Sequence, residues 1–424
     1  MQAKIFHATD HDIDHYQIDK DALYVINRLK DAGFAAYLVG GGVRDLLIKR
    51  TPKDFDISTS ARPEQIKQLF GRNCILIGRR FRLAHVRFGH KILEIATFRS
   101  GENDSDLIIQ DNVWGSPEED VMRRDFTING LFYDPSTHSV IDFVGGWEDI
   151  HNKILRTIGE PRVRFKQDPV RMIRLLKFQA RYDFKVTPEV QHALISCKEE
   201  LTKSSPARIL EEIFKMLESG YSSPFFHLMT QTGLLEHVFP CLMHFMQGKH
   251  GKEIYHYLTC ADQINLHSKK NLDRSILTCG LLFPILEREI KTQYLDKGLI
   301  PHIGEIMLLT SSLIKGFVTS SFSHFPKRNS MAMSFVLSMQ YRLTPVSGRR
   351  HPRPKLMRNK EFELALIFLK IRTCVNPNLK ETYDYWREQY KQTDRHSQHE
   401  HRPHHPPQRQ VPANHQDEEE EYLE

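Results

Sequence analysis

The sequence predicts an α+β protein: a small head of alternating helices and strands, a long all-helical region behind it, and a disordered carboxy-terminal tail. Three observations carry this prediction. Over about the first 145 residues, helical periodicity alternates with short apolar β-like runs. From about residue 146 the β signals fade, and apolar residues recur at helical spacing between Gly and Pro breaks. After about Gln392 the composition turns to His, Pro, Gln and acidic residues, too poor in apolar surface to fold alone.

DKDALYVINRLKDAGFA has helical apolar spacing and runs into the short strand AAYLV. Gly40, Gly41 and Gly42 then turn the chain into the short helix GVRDLLIKR. DFDISTS reads as a strand, and RPEQIKQLF as a helix with Pro63 near its start. RLAHVRF and KILEIATF are β-like runs separated by Gly89 and His90. Farther on, PVRMIRLLKFQARYDF, ARILEEIFKMLESG and KEFELALIFLKIR are helical, and no repeat of fixed period occurs. The expected organisation is an extension over 1–18, a head over 19–148, a helical neck over 149–230, a helical body over 231–391 and the tail over 392–424.

With 424 residues, 40% of them hydrophobic, the chain can supply a core for two or three domains. Lys and Arg number 59 against 53 Asp and Glu, a net charge of +6 that points to polyanion partners only where it is clustered. It is clustered: between Glu305 and Glu361 no acidic residue occurs, while ten cations do, among them Arg349, Arg350, Arg353 and Lys355. The six cysteines form no CxxC pair, and MQAKIFHATD lacks the features of a signal peptide, so a reduced, cytoplasmic protein without a thiolate zinc site is expected. The longest nearly unbroken apolar run, Ile276 to Leu286, is about half of what a membrane span needs, so none is expected.

The chemistry-bearing residues concentrate in the head and the start of the neck. Gly41 and Gly42, between a strand and a helix that includes Arg44, suit phosphate oxygens, although glycines there more often serve tight geometry. Asp54 and Asp56, two apart on an expected strand, project to one face and repel each other unless a cation intervenes. Mg²⁺ suits carboxylate and phosphate oxygens, and such a pair can hold two ions, one activating a hydroxyl and one steadying leaving pyrophosphate. A third carboxylate comes either from Glu94, on the same face as Ala96 and Phe98, or from Asp125 in Arg123-Arg124-Asp125-Phe126-Thr127-Ile128-Asn129. Asp168 before Pro169 reads structurally as a helix N-cap. Functionally, Asp168 with Arg171 offers an acceptor beside a forked donor, which matches adenine and cytosine and mismatches guanine and uracil.

Taken together and in order, LVGGGVRDLL, KDFDIST, LEIATFR, RRDFTING, DFVGG and QDPVRMIR resemble the bacterial poly(A) polymerase and CCA-adding enzyme family, strongly over residues 20 to 230. The resemblance implies a nucleotidyltransferase-type mixed-sheet head followed by helical neck and body. It further implies metal binding by Asp54 and Asp56, completion of the acidic site by Asp125, and nucleotide contacts from Arg124, Asn129, Asp168, Arg171 and Arg174. Asp142 with Gly145 and Gly146 would form a hinge. IGRRFRLAHVRFG and the basic region around RRHPRPK resemble the poly(A) polymerase branch. Gln167 departs from the family's Glu-Asp-Pro helix start, which loosens the expected base selectivity. The expectation is a template-independent enzyme adding AMP from ATP to RNA 3′ ends with two Mg²⁺ ions, with ATP and RNA 3′ ends as partners and protein partners unknown. The runner-up is a CCA-adding tRNA nucleotidyltransferase; a rival of another class is a non-catalytic RNA-binding protein on the same fold.

Overall fold

The computed structural model describes residues 2–78, 83–100, 113–321, 325–346 and 354–400. The head begins with β1 (Lys4–Phe6), α1 (Lys20–Asp31), β2 (Ala36–Val39), α2 (Gly41–Leu47), β3 (Asp56–Thr59), α3 (Pro63–Phe70), β4 (Cys74–Ile77), β5 (Leu83–Phe88) and β6 (Lys91–Thr97). A two-stranded ribbon, β7 (Arg99–Ser100) with β8 (Val113–Trp114), precedes α4 (Pro117–Met122), β9 (Leu131–Asp134), β10 (Ser139–Asp142) and α5 (Gly146–His151). Eight strands join one sheet in the order β1-β10-β9-β2-β3-β6-β5-β4, and only the β3–β6 pair is parallel, so the sheet is mixed.

The expected helix in DKDALYVINRLKDAGFA forms as α1 because the Asp19 carboxylate accepts from the Asp21 and Ala22 amides at its start. Ala22, Val25, Ile26 and Leu29 fall on one stripe and are fully buried. They pack in one core with Leu38, Ile57 and Ile95 of the sheet. The opposite face is covered by a smaller cluster of Val39, Phe98, Val121, Phe132 and Ile158.

Two sequence boundaries are corrected. Residues 1–18, expected to stand outside the head, supply its edge strand: Lys4 to Phe6 pairs with Val140 to Asp142, and Phe6 stacks on Trp147 with ring centroids 4.0 Å apart. Three residues are too few to show a period. The expected disordered tail from 392 overlaps the last helix, which runs to Glu400 because its start is tied down by buried Trp386, whose indole donates to the Leu343 carbonyl at 3.0 Å. Residues 401–424 lie outside the described residues.

Behind the head a small parallel pair, β11 (Ile154–Leu155) with β12 (Lys185–Val186), flanks α6 (Pro161–Gln167) and α7 (Val170–Tyr182). Helices follow in an unbroken series: α8 (Pro188–Cys197), α9 (Pro206–Leu217), α10 (Ser222–Gln231), α11 (Leu234–Val238), α12 (Pro240–Gln247) and α13 (Gly251–His267). Next come α14 (Arg274–Gln293), α15 (Ile303–Ser321), α16 (Lys327–Leu343), α17 (Pro354–Met357), α18 (Phe362–Val375) and α19 (Lys380–Glu400). The apolar run from Ile276 to Leu286 is buried inside α14, and among the described residues no helix is long and apolar enough to cross a membrane.

Candidate active site

The site sits where the head sheet meets α7, in a cleft of about 520 Å³. Gly40, at φ +66°, occupies a backbone region that only glycine adopts easily. A Cβ on Gly40 would lie 3.1 Å from the Arg124 Nη1 atom and 4.0 Å from Asp56 Oδ2. One on Gly42 would lie 3.3 Å from the Asp54 carbonyl oxygen and 3.4 Å from Phe55 Cδ1. The glycine turn therefore packs directly against the DFD segment. Gly40 and Gly41 form part of the cleft floor.

Asp56 opens β3, while Asp54 stands just before the strand rather than on it. Ile57 pairs with Ile95, which sets Glu94 beside Asp56 across the parallel junction. Asp56 stays accessible at the cleft, yet its carboxyl lies above the ordinary range. Desolvation by the surrounding protein is the largest cause, the negative charges of Glu94 and Asp54 add to it, and Arg124 opposes it. This is an under-neutralised acidic cluster. Glu94 also lies 3.5 Å from the His85 ring. Among the described residues no three side chains already converge as a metal cage. Two carboxylates beside an open polar cleft nonetheless fit Mg²⁺, which keeps several waters and needs few protein oxygens.

Asp125 is placed differently from the other acids. It is buried, and its carboxylate accepts from the Phe126 amide at 2.8 Å and Asn129 Nδ2 at 3.0 Å while pairing with Arg174 at 2.8 Å. Burial alone would raise its carboxyl, but the Arg174 charge and these hydrogen bonds hold it below the usual range. Between the two candidates for a third carboxylate, Glu94 is the one whose charge is felt at Asp56.

Arg44 is also buried. Its guanidinium donates to Asp45 Oδ1, Asn129 Oδ1 and, at 2.6 Å, the Tyr182 hydroxyl, and it lies 4.6 Å from the Tyr182 ring centroid. Most of its donors are thus committed inside the protein, and it anchors the floor. Arg124 bonds Asp120 at 3.0 Å, one helical turn earlier, and also reaches Ser58 Oγ at 3.3 Å.

At the neck, Asp168 does not cap α7 with its side chain. Its amide donates to the Arg164 carbonyl, ending α6, and its Oδ2 accepts from Arg208 at 2.8 Å. Asp168 Oδ1 is buried without a partner. Arg171 donates to the carbonyls of Arg164 at 3.0 Å and Arg123 at 3.2 Å, which fixes its guanidinium at the cleft wall beside Asp168. Gln167 Oε1 accepts from Arg164 at 3.1 Å. Arg164 is pushed down to about 10 by desolvation and by Arg171. Asp142 accepts from four successive amides, Val144 through Trp147, and thereby caps α5.

Sequence reasoning missed Asp45, Tyr182 and Arg208. Asp45 stood in the quoted GGGVRDLL; the other two carried no local signal, because their partners are distant in the chain. Of the residues expected to bind RNA, Arg349, Arg350 and Arg353 lie outside the described residues, and Lys355 falls in α17. Part of IGRRFRLAHVRFG, residues 79–82, lies outside them too.

Three family signatures match this chain: "Poly A polymerase head domain" over residues 36–156, "Probable RNA and SrmB- binding site of polymerase A" over 183–246 and "Polymerase A arginine-rich C-terminus" over 319–420. It is 34% identical to poly(A) polymerase I of Escherichia coli O157:H7 over 405 residues, covering 91% of this chain and 86% of that one. It is 36% identical to poly(A) polymerase I of Haemophilus influenzae over 70% of this chain and 69% of that one, and 40% identical to the CCA-adding enzyme of Lactobacillus helveticus over 51% and 54%. In structure it is similar to the Bacillus stearothermophilus CCA-adding enzyme in complex with CTP, with a TM-score of 0.62 and 25% identity, covering 88% of this chain and 81% of that one.

Proposed function

This chain belongs to the poly(A) polymerase family, a family of nucleotidyltransferases, and from that premise we propose that it extends RNA 3′ ends with AMP taken from ATP, without a template. The observation that carries the reading is the meeting, in one cleft, of an under-neutralised acidic edge with a wall of arginines. One side suits metal-bound phosphates, the other a nucleotide's base and sugar. Residues 2–18 join the head, with neck and body following over 149–230 and 231–391.

Asp54 and Asp56, with Glu94 beside them, are the residues that would hold Mg²⁺. Two ions bound there would lower the pKa of the attacking 3′ hydroxyl and offset charge on departing pyrophosphate. Attack forms the new O–P bond at the α-phosphorus and breaks the bond to pyrophosphate. Arg124, close to both Gly40 and Asp56, is placed to meet phosphate oxygens. The free acceptor Asp168 Oδ1 and the fixed guanidinium of Arg171 suit the amino group and ring nitrogen of adenine. Asp125, Asn129 and Arg174 hold that wall in place.

The arginine-rich carboxy-terminal match favours poly(A) synthesis over CCA addition. The test incubates the protein with each nucleotide and either an arbitrary RNA or a tRNA lacking its end. Long adenosine addition to the arbitrary RNA is expected. Addition that stops after C, C and A on tRNA assigns the runner-up. Asp54→Ala or Asp56→Ala should abolish transfer without unfolding the protein, and transfer near the wild-type rate in either would refute the metal assignment.

A further inference from the structure

The body contains a second cavity, of about 420 Å³, between α13, α14, α16 and α18, within the range of small-molecule sites. Its wall holds a cation that nothing in the active cleft uses. Arg372 is 7% exposed; its Nη1 donates to Thr344 Oγ1 at 2.9 Å and to Gln340 Oε1 at 3.3 Å, and its guanidinium sits 4.5 Å from the Phe283 ring centroid. Arg372 Nε has no partner, and neither does the buried Tyr341 hydroxyl in the same wall. Buried donors left unmatched are costly, so two in one cavity mark a place where a ligand improves the balance.

The chemistry of that ligand can be read from the lining. Glu287 lies 3.8 Å from Arg372 and sets an acceptor beside a forked donor. Leu295 and Val346 remain 40% and 39% exposed, apolar faces against which a flat ring can pack. Arg288 and Lys291, at the cavity on α14, make no ion pair among the described residues and are free to meet phosphate.

We propose that this cavity is a second nucleotide site that takes an adenylate, its base between Glu287 and Arg372 and its phosphate on Arg288 and Lys291. The pocket itself stands on its own geometry. The choice of adenine over cytosine, which offers the same donor and acceptor, rests on reading the chain as an adenylyltransferase. The adenylate is supplied either as free nucleotide or by the adenosines of the product RNA.

Calorimetric titration of the full chain with AMP, which carries no pyrophosphate to displace, tests this. Wild type should bind two AMP per chain. Arg288→Ala with Lys291→Ala should weaken one site about ten-fold or more, as expected for loss of charge-assisted bonds, without changing kcat on a short primer free of adenosine. Tyr341→Phe should weaken the same site, while Asp168→Ala should affect only the other. GMP should leave the body site empty. A single AMP site that vanishes with Asp168→Ala, or a titration unchanged by the Arg288 and Lys291 substitutions, overturns the proposal. Failure of the adenylyltransferase reading would appear separately, as absence of transfer with both AMP sites intact. Competition by 3′-blocked oligo(A) for the body site assigns it to tail adenosines; its absence, with AMP still bound, assigns it to free nucleotide.

Discussion

Asp56 shows how one residue can serve function at a cost to the fold. Its carboxyl is raised by desolvation and by its acidic neighbours, so the folded state resists its ionisation. The resulting destabilisation is absent below the ordinary carboxylate pKa, grows as pH rises through that range, and is complete above the raised folded value. In metal-free protein Asp56→Asn should therefore raise the melting temperature at pH 7 and leave it nearly unchanged near pH 3. Added Mg²⁺ should stabilise wild type and not the variant; an equal response in both would remove Asp56 from the metal site. Gln167 allows a second test at the same scale. Its neutral amide already accepts from Arg164, so the wall proposed to read the base is supported even without the family's Glu. Gln167→Glu should make that bond charge-assisted and raise stability by about 1 kcal/mol, an effect that shrinks in high salt. Discrimination between ATP and GTP should improve only modestly, and a large gain would restore the looser selectivity expected from the sequence.

At the scale of elements, α7 is the piece that makes head and neck one site. Its Tyr182 hydroxyl donates to Asp45 at 2.8 Å and accepts from Arg44, both on α2, so the helix after the glycine turn is bolted to the helix that carries Arg171. Tyr182→Phe keeps the ring under Arg44 and removes only the hydroxyl. Loss of a buried hydrogen-bonding group should lower stability by about 1–3 kcal/mol. Because the bolt sets the spacing between the glycine turn and Arg171, the proposed nucleotide site predicts that KM for ATP rises with a smaller change in kcat; unchanged KM would reduce Tyr182 to a stability role. The helices themselves were legible because α1 and α7 carry long amphipathic stripes; β2 was legible as a short apolar run ending at Gly40, and β3 through the alternation in DFDISTS. The edge strand β1 was not legible, with three residues and Ile5 half exposed. Nor was the role of Arg44, since it is fixed by Tyr182, 138 positions away. The acids at 54 and 56 and the pair at 168 and 171 were recognisable by type and spacing. Which oxygen of Asp168 stays free was not, because Arg208 decides it from another helix.

Across the whole molecule, charge is sorted by place. The acids Asp54, Asp56 and Glu94 hold the head edge, whereas Arg123, Arg124, Arg171, Arg174, Lys177 and Arg181 line the facing side of the cleft. Most of those cations are paired or buried, so the wall can grip one nucleotide but has few groups to spare for a long polyanion. The stretch from 306 to 360 carries ten cations and no acid, and we propose it as the source of the missing charge. Arg349, Arg350 and Arg353 fall within its last twelve residues, and each that meets a phosphate releases condensed counterions when single-stranded RNA binds. Replacing all three by Ala should therefore weaken RNA binding and flatten the slope of log K against log salt by roughly 2, at about 0.7 per lost contact. ATP binding should be unaffected, since the cleft is built from other residues. Filter binding over a salt series, with an ATP titration beside it, separates the cases. An unchanged salt slope would mean that these arginines form an ordinary solvated face and that RNA is held by the head and neck alone.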